Sequence, residues 1–227
     1  MDKLKKRAFK NQLYEQFARI GKALANPHRL ELLDVLAQGE RSVEELAIET
    51  GMSVANASQH LQLLRAAQLV DVRREGVYIY YRLADEQVFT LWQALRNVGE
   101  ARIAEVDRVV RTYLHDRDLF QPIDAVELLK RLAEGQVILL DVRPVEEYAT
   151  AHIPGALSIP VAELETRLPE IPQGREVVAY CRGPYCVFAD EAVALLRTSG
   201  YQASRLEQGL PDWRALGLPV ESGKGAS

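Results

Sequence analysis

Apolar residues recur at helical spacing through most of the first half of the chain. Leu4, Phe9, Leu13, Phe17, Ile20 and Leu24 predict a helix over Lys3 to Ala25. Asn26-Pro27 reads as a cap followed by proline at the first helical position, and opens a second helix through Leu30, Leu33 and Leu36 that stops at Gly39. Ser42-Val43-Glu44-Glu45 has the spacing of a capping box, in which hydroxyl and carboxylate satisfy each other's orphan amides, so a short helix to Thr50 follows. Gly51 closes it and Ser53 caps the next, whose inward positions are Val54, Ala57, Leu61 and Leu64. The pattern then changes to strands at Leu69–Arg74 and Val77–Arg82 around Glu75-Gly76. It returns to a single long helix over Asp85 to Tyr113, with Val88, Leu91, Trp92, Leu95, Val98, Ile103, Val106 and Val110 as its apolar stripe.

The second half alternates strands and helices. Asp124 caps a helix through Leu128, Leu129 and Leu132 that Gly135 ends. Short apolar runs at Val137–Leu140, Leu157–Ile159, Val177–Tyr180 and Ser204–Leu206 predict strands, and Ala189–Arg197 has the spacing of a helix. The fold class expected is an α+β winged helix-turn-helix domain followed by an α/β domain with a central parallel sheet. The charged, proline-broken stretch around His115-Asp116-Arg117-Asp118 marks the linker. The expected division is a domain over 1–114, a linker over 115–122, a second domain over 123–222 and a flexible tail at 223–227.

A length of 227 residues fits two such domains. Net charge is −4; residues 1–116 carry 17 basic against 16 acidic side chains, and the remainder 11 against 16. A balanced first half does not itself predict nucleic-acid binding, but a local basic patch can supply phosphate contacts. No apolar run approaches the ~20 residues that a membrane helix needs, which predicts no membrane association. Two cysteines and no signal-peptide pattern at the charged N-terminus predict a reducing cytoplasm.

The two helices joined by a three-residue turn are a helix-turn-helix pattern. With its apolar positions turned inward, the second helix presents Asn56, Gln59 and His60, with Ser53 at its amino end. Asn and Gln pair with adenine in the major groove, and a helix N-terminus favours a phosphate. Arg65 and the hairpin-tip residues Arg73 and Arg74 are the candidate backbone contacts.

Both cysteines lie in Tyr180-Cys181-Arg182-Gly183-Pro184-Tyr185-Cys186-Val187, between a buried strand and a helix. A thiol at the carboxyl end of a strand, facing loop amides and a helix N-terminus, is predicted to lose its proton easily, which makes Cys181 a candidate nucleophile. Inert packing is the alternative for a free cysteine, and it suits a Gly-Pro loop at a strand-to-helix junction less well. The histidines His28, His60, His115 and His152 form no pair at ligand spacing in the sequence, so neither metal nor other cofactor is expected.

Two resemblances follow. Ala25-Asn26-Pro27-His28-Arg29-Leu30-Glu31-Leu32-Leu33, Ser58-Gln59-His60-Leu61 and the segment from Leu69-Val70 to Tyr81-Arg82 resemble the ArsR-type winged-helix repressors over roughly residues 13–112. That resemblance implies a homodimer on a double-stranded operator, paired through its first and last helices. Leu140-Asp141-Val142-Arg143 with Glu147-Tyr148, His152-Ile153-Pro154-Gly155-Ala156, the Tyr180-Cys181-Arg182-Gly183 loop start and Gly209-Leu210-Pro211-Asp212-Trp213 resemble the rhodanese-like sulfurtransferases. This implies that Cys181 takes a sulfane sulfur as a persulfide while the amides of Arg182, Gly183, Tyr185, Cys186 and Val187 cradle the anion. The Arg182 side chain would contact an incoming anion, Asp141 and Arg143 would order the loop, and His152 would fix a turn or, as the less favoured alternative, serve in acid-base chemistry. Pro184 removes one cradle donor, and Cys186 stands where many relatives carry a basic residue. Cys186 is either a resolving thiol, releasing sulfide and leaving a disulfide, or a packing residue. The expectation is a regulator whose operator affinity follows the sulfur state of Cys181. The alternatives, in order, are a sulfurtransferase, or an arsenate-reductase-like enzyme acting on a small oxyanion, with an autoregulatory DNA-binding domain, and then a second domain that is an inert interaction module.

Overall fold

A computed structural model describes residues 3–114 and 122–223, in two compact units, Met1–Trp92 and Gln93–Ser227. Most of the expected linker, His115 and the last four residues lie outside the described residues.

The first unit opens with α1 (Lys3–Leu24) and α2 (Pro27–Leu36). Asn26 caps α2, its side chain accepting from the Arg29 amide, with Pro27 at the first helical position. A two-residue strand β1 (Arg41–Ser42) precedes α3 (Val43–Glu49), whose capping box forms: the Glu45 amide donates to Ser42 Oγ at 3.2 Å and the Ser42 amide to Glu45 Oε2 at 2.7 Å. Gly51 turns the chain with φ 64°, a left-handed conformation that disfavours other residues. Ser53 then caps α4 (Val54–Ala66). Hairpin β2 (Val70–Glu75) and β3 (Tyr78–Leu83) closes at Gly76, and the sheet order β1-β3-β2 adds an edge strand too short for its residues to show a two-residue alternation. Leu32, Leu46, Ala57, Leu61 and Leu64 are fully buried in the core. Val54, expected on the inward face, is 47% exposed, because the first turn of α4 stands clear of the core that its later turns enter.

The stripe read as one last helix is two: α5 (Glu86–Arg102), whose Trp92–Gln93 bond is the boundary between the units, and α6 (Ala104–Tyr113). The break falls at Ile103, whose backbone is extended at φ −112°, ψ 98°. A β-branched residue four positions after Gly99 makes this the weakest stretch for helix propagation.

The second unit continues through α7 (Ala125–Ala133), β4 (Val137–Asp141), α8 (Val145–Thr150), β5 (Leu157–Ser158), α9 (Leu164–Arg167), β6 (Glu176–Tyr180), α10 (Phe188–Thr198), β7 (Ala203–Arg205) and α11 (Leu210–Ala215). All neighbouring strands are parallel in the order β5-β4-β6-β7, with Asp141 beside Tyr180 at the carboxyl ends of the two central strands. Both faces of β4 are buried, which explains its continuous apolar run. One face packs Ile138, Leu140, Val177 and Ala179 against α10, and the other packs Leu139, Val178 and Tyr180 with Trp213 of α11.

Candidate functional site

In the first unit the exposed side of α4 carries the predicted base-reading residues. Gln59 is exposed and Asn56 and His60 are half-buried. Ser53 Oγ is engaged as the cap, accepting from the Asn56 amide at 3.3 Å. Packing brings His60 beside His28 of α2, with ring centroids 5.4 Å apart, a pairing that their distance in sequence hides. Burial, then the neighbouring His28 and Arg29, push His60 below the usual histidine range, so it is neutral at pH 7. No cluster of three or more metal-ligating side chains occurs among the described residues.

The basic residues differ. Arg65 and Arg74 are exposed. Arg73 is held by its neighbours: Nε and Nη2 donate to Glu40 Oε2 at 2.9 and 2.6 Å, Nη1 donates to Glu75 at 2.6 Å, and the guanidinium lies 4.5 Å from the Tyr80 ring. A wing arginine so engaged must exchange carboxylates for a phosphate before it can touch DNA.

In the second unit the strand order reverses between β4 and β6, and the loops leaving these two strands carry the chemistry, as expected at a topological switch point. Beneath them lies a buried charge network. Arg143 Nη2 donates to Asp141 Oδ2 at 2.6 Å and to the Ala151 carbonyl at 2.7 Å, and both side chains are fully buried. Arg182 Nη2 donates to Glu147 Oε1 at 2.6 Å, and Glu147 Oε2 is 3.9 Å from Arg143 Nη1. The Arg182 guanidinium expected to meet an incoming anion is thus turned onto a carboxylate of α8. His152 stacks on Tyr148 at 3.8 Å with its Nδ1 2.8 Å from the Tyr148 carbonyl.

Cys181 is 4% exposed and part of the apolar cluster, and Cys186 packs against it half-buried. The Cys181 thiol donates to the carbonyls of Cys186, at 3.5 Å, and Gly183, at 3.8 Å. Burial, reinforced by the neighbouring Cys186, pushes the Cys181 thiol well above the usual range, outweighing the amides of Gly183 and Ala189. This corrects the expectation of an easily ionised Cys181: a strand end sealed by packing penalises charge more than the amides relieve it. Cys186 moves the other way. The hydrogen bond from the Cys181 thiol pulls it down, against its own burial and with help from the amides of Arg182 and Phe188 and the Arg182 charge. Within the pair, ionisation is thus favoured at Cys186 and disfavoured at Cys181. Of the expected cradle amides, that of Cys186 is committed to the Gly183 carbonyl at 3.1 Å, closing the turn through Pro184. Tyr185 and Val187 flank it, 40% and 41% exposed.

Three residues that the sequence marks only as parts of a resemblance complete the site. Glu147 anchors Arg182. Gly209 lies against the loop backbone, where a Cβ would stand 2.1 Å from the Arg182 carbonyl oxygen. Asp212, 4% exposed, accepts from Gln93 at 2.8 Å and from Arg96 of α5. Close backbone approach and a buried acceptor are tertiary facts, and only the glycine itself hinted at the first.

Two family models match the chain: the bacterial regulatory protein, arsR family, over residues 26–72, and the rhodanese-like domain over residues 124–216. The HTH-type transcriptional regulator Rv0324 of Mycobacterium tuberculosis is 48% identical over 214 residues, 94% of either chain. A sulfurtransferase of Allochromatium vinosum is 37% identical over 105 residues, 45% of this chain and 96% of its own. Among solved structures, the homodimeric winged helix-turn-helix DNA-binding domain Mb0332 of Mycobacterium bovis is 49% identical, covering 41% of this chain and 87% of that one, with a TM-score of 0.40. The chain therefore belongs to the family of the transcriptional regulator Rv0324, in which an ArsR-type DNA-binding domain is joined to a rhodanese-like domain.

Proposed function

We propose that the rhodanese-like domain forms a persulfide on Cys181 and that the sulfur state of the Cys181–Cys186 loop sets the operator affinity of the DNA reader. The observation that carries this is the facing thiol pair: Cys181, buried and protonated, donates toward the Cys186 main chain and supports a Cys186 thiolate. A thiolate in contact with a thiol can take the proton as Cys181 attacks a sulfane sulfur, and can then attack the resulting persulfide. Asp141 and Arg143 order the loop from below, the amides of Gly183 and Ala189 meet Cys181 itself, and those of Arg182, Tyr185 and Val187 complete the cradle in this reading.

DNA is read by Ser53, Asn56, Gln59 and His60 of the recognition helix, with Arg65, Arg73 and Arg74 on phosphates. The exposed apolar residues Leu4, Phe9 and Phe17 of α1 in the first unit, and by themselves Leu95 and Val98 of α5 in the second, are candidates to meet a second copy of the chain. A dimer sets two recognition helices about one DNA turn apart. The unbroken α5 crosses the boundary between the two units, which makes it the element through which loop state reaches the reader. Among the described residues no helix is long and apolar enough to cross a membrane, and a DNA-binding role places the protein in the cytoplasm.

The test is intact mass and operator binding together, before and after an organic polysulfide, on wild type, Cys181→Ser and Cys186→Ser. Sulfur gain or loss of two hydrogens in wild type, neither in Cys181→Ser, and DNA release that follows the modification support the reading. Sulfur on Cys181 with unchanged DNA binding overturns it. The similarity to a sulfurtransferase over 96% of that protein favours a second reading, an enzyme that moves sulfur under an autoregulatory reader. Steady turnover with operator binding indifferent to donor would select it.

A further inference from the structure

An apolar cavity of about 470 Å³ lies against the cysteine loop, within the second unit. Val106, Val109, Val110 and Leu114 line it from α6 and its end, and Tyr185 and Val187 line it from the loop. These last two residues flank Cys186 in the chain, so the cavity borders the loop that carries the thiol pair. The Tyr185 hydroxyl donates to Glu100 of α5 at 2.6 Å, which fixes this wall. The volume lies in the range of small-molecule sites, which run from roughly 300 to 1,000 Å³.

Resting on the persulfide reading above, we propose that this cavity seats the hydrocarbon part of an organic hydropersulfide, R–S–SH, and so selects apolar donors for Cys181. The charges argue for this class. Among the described residues the cavity lining offers an anion no cationic side chain: its one charged member is Glu105, an exposed residue 3.9 Å from Arg108, and Arg182 beside Cys181 is turned onto Glu147. An alkyl or benzyl group of roughly six to eight carbons gains from the valines instead, about fourfold in affinity for each methylene removed from water.

The chemistry closes without a further reagent. Cys181 Sγ passes its proton to the Cys186 thiolate and attacks the terminal sulfur of R–S–SH. The Cys181–S bond forms, the donor's S–S bond breaks, and the leaving R–S⁻ takes the proton from Cys186 and departs as R–SH. The Cys186 thiolate then attacks Cys181 Sγ, forming the disulfide and expelling HS⁻. The sulfane sulfur is reduced to sulfide while two cysteine thiols are oxidised.

The experiment uses the full chain, wild type and Val109→Trp and Val109→Asp. Octyl hydropersulfide, glutathione persulfide and inorganic polysulfide are compared by the rate of mass change at the cysteine pair, gain of one sulfur or loss of two hydrogens, and methyl octyl sulfide, which carries no transferable sulfur, is followed by ligand-observed NMR. The expected result is at least a tenfold preference of wild type for the octyl donor over glutathione persulfide. In both variants the octyl-to-inorganic rate ratio falls at least tenfold, and thioether binding is lost in them but kept in Cys181→Ser. Equal rates for the two organic donors, an unchanged ratio in the variants, or loss of the dimer in Val109→Asp by light scattering overturn the proposal, the last by giving this face to a second copy. Modification by inorganic polysulfide without thioether binding overturns the cavity alone. Thioether binding with no sulfur transfer from any donor overturns the persulfide reading and, with it, the donor role of the cavity.

Discussion

Arg182 Nη2 and Glu147 Oε1 lie 2.6 Å apart, tying the residue after the loop cysteine to a carboxylate that is 1% exposed. Glu147 also stands 3.9 Å from Arg143, which is itself bonded to Asp141 at 2.6 Å. The beginning of the loop is thus anchored to both α8 and the end of β4 by charges withdrawn from water. Withdrawn charges hold geometry well only while each keeps its partner.

Glu147→Ala removes one partner and leaves Arg182 and Arg143 facing an apolar gap. The expected cost is about 3 kcal/mol, at the lower end for a broken buried pair because Arg182 keeps some exposure. Urea unfolding of the second unit's transition measures it, and a loss under 1 kcal/mol contradicts the anchoring role.

Gly209→Ala places a methyl where the Arg182 carbonyl stands, so the loop backbone must move. The expected destabilisation is about 1–3 kcal/mol, accompanied by a changed alkylation rate at Cys186. Unaltered stability and an unaltered rate would show that the two backbones do not meet in solution.

Reactivity of the thiol pair has a defined sign with pH. Cys186 ionises below the ordinary thiol range, so its alkylation by iodoacetamide rises at lower pH than that of a free thiol, while Cys181 stays protonated and slow. Removing the hydrogen-bond donor in Cys181→Ala destabilises the Cys186 thiolate, and the midpoint of its pH–rate profile moves upward. A midpoint that stays in place or falls refutes the shared proton.

At the wing, two adjacent arginines are expected to behave differently. Arg74→Ala should weaken operator binding uniformly and lower the salt slope by about one. Arg73→Ala should do less, since Arg73 must leave Glu40 and Glu75 to reach a phosphate. Anisotropy titrations at several salt concentrations decide the order, and a larger loss for Arg73→Ala reverses it.

On the reader's scaffold, Ser42→Ala removes the hydroxyl half of the capping box, the bond from the Glu45 amide, while the Ser42 amide still donates to Glu45, and should cost about 1 kcal/mol. Thermal or urea unfolding reads this directly. The recognition helix is capped separately by Ser53, so Gln59→Ala should lower operator affinity with little change in stability.

Much of the architecture could be read from local chemistry, because caps, left-handed glycines and apolar periodicity act over a few neighbouring residues. Asn26, Ser42, Ser53 and Asp124 each cap the helix that their sequence context announces, and the parallel strands are continuous apolar runs because helices cover both faces. The position of both cysteines between β6 and α10 was legible for the same reason. What local pattern does not contain is which groups meet across the fold. The edge strand β1, the closeness of His28 to His60, and the turning of Arg182 onto Glu147 and of Arg73 onto Glu40 all depend on residues distant in the chain. The ionisation of Cys181 reverses on the same account. Its place beside loop amides follows from the order of strand, loop and helix, but the burial that holds its proton is set by the packing of the strand and helix that flank it.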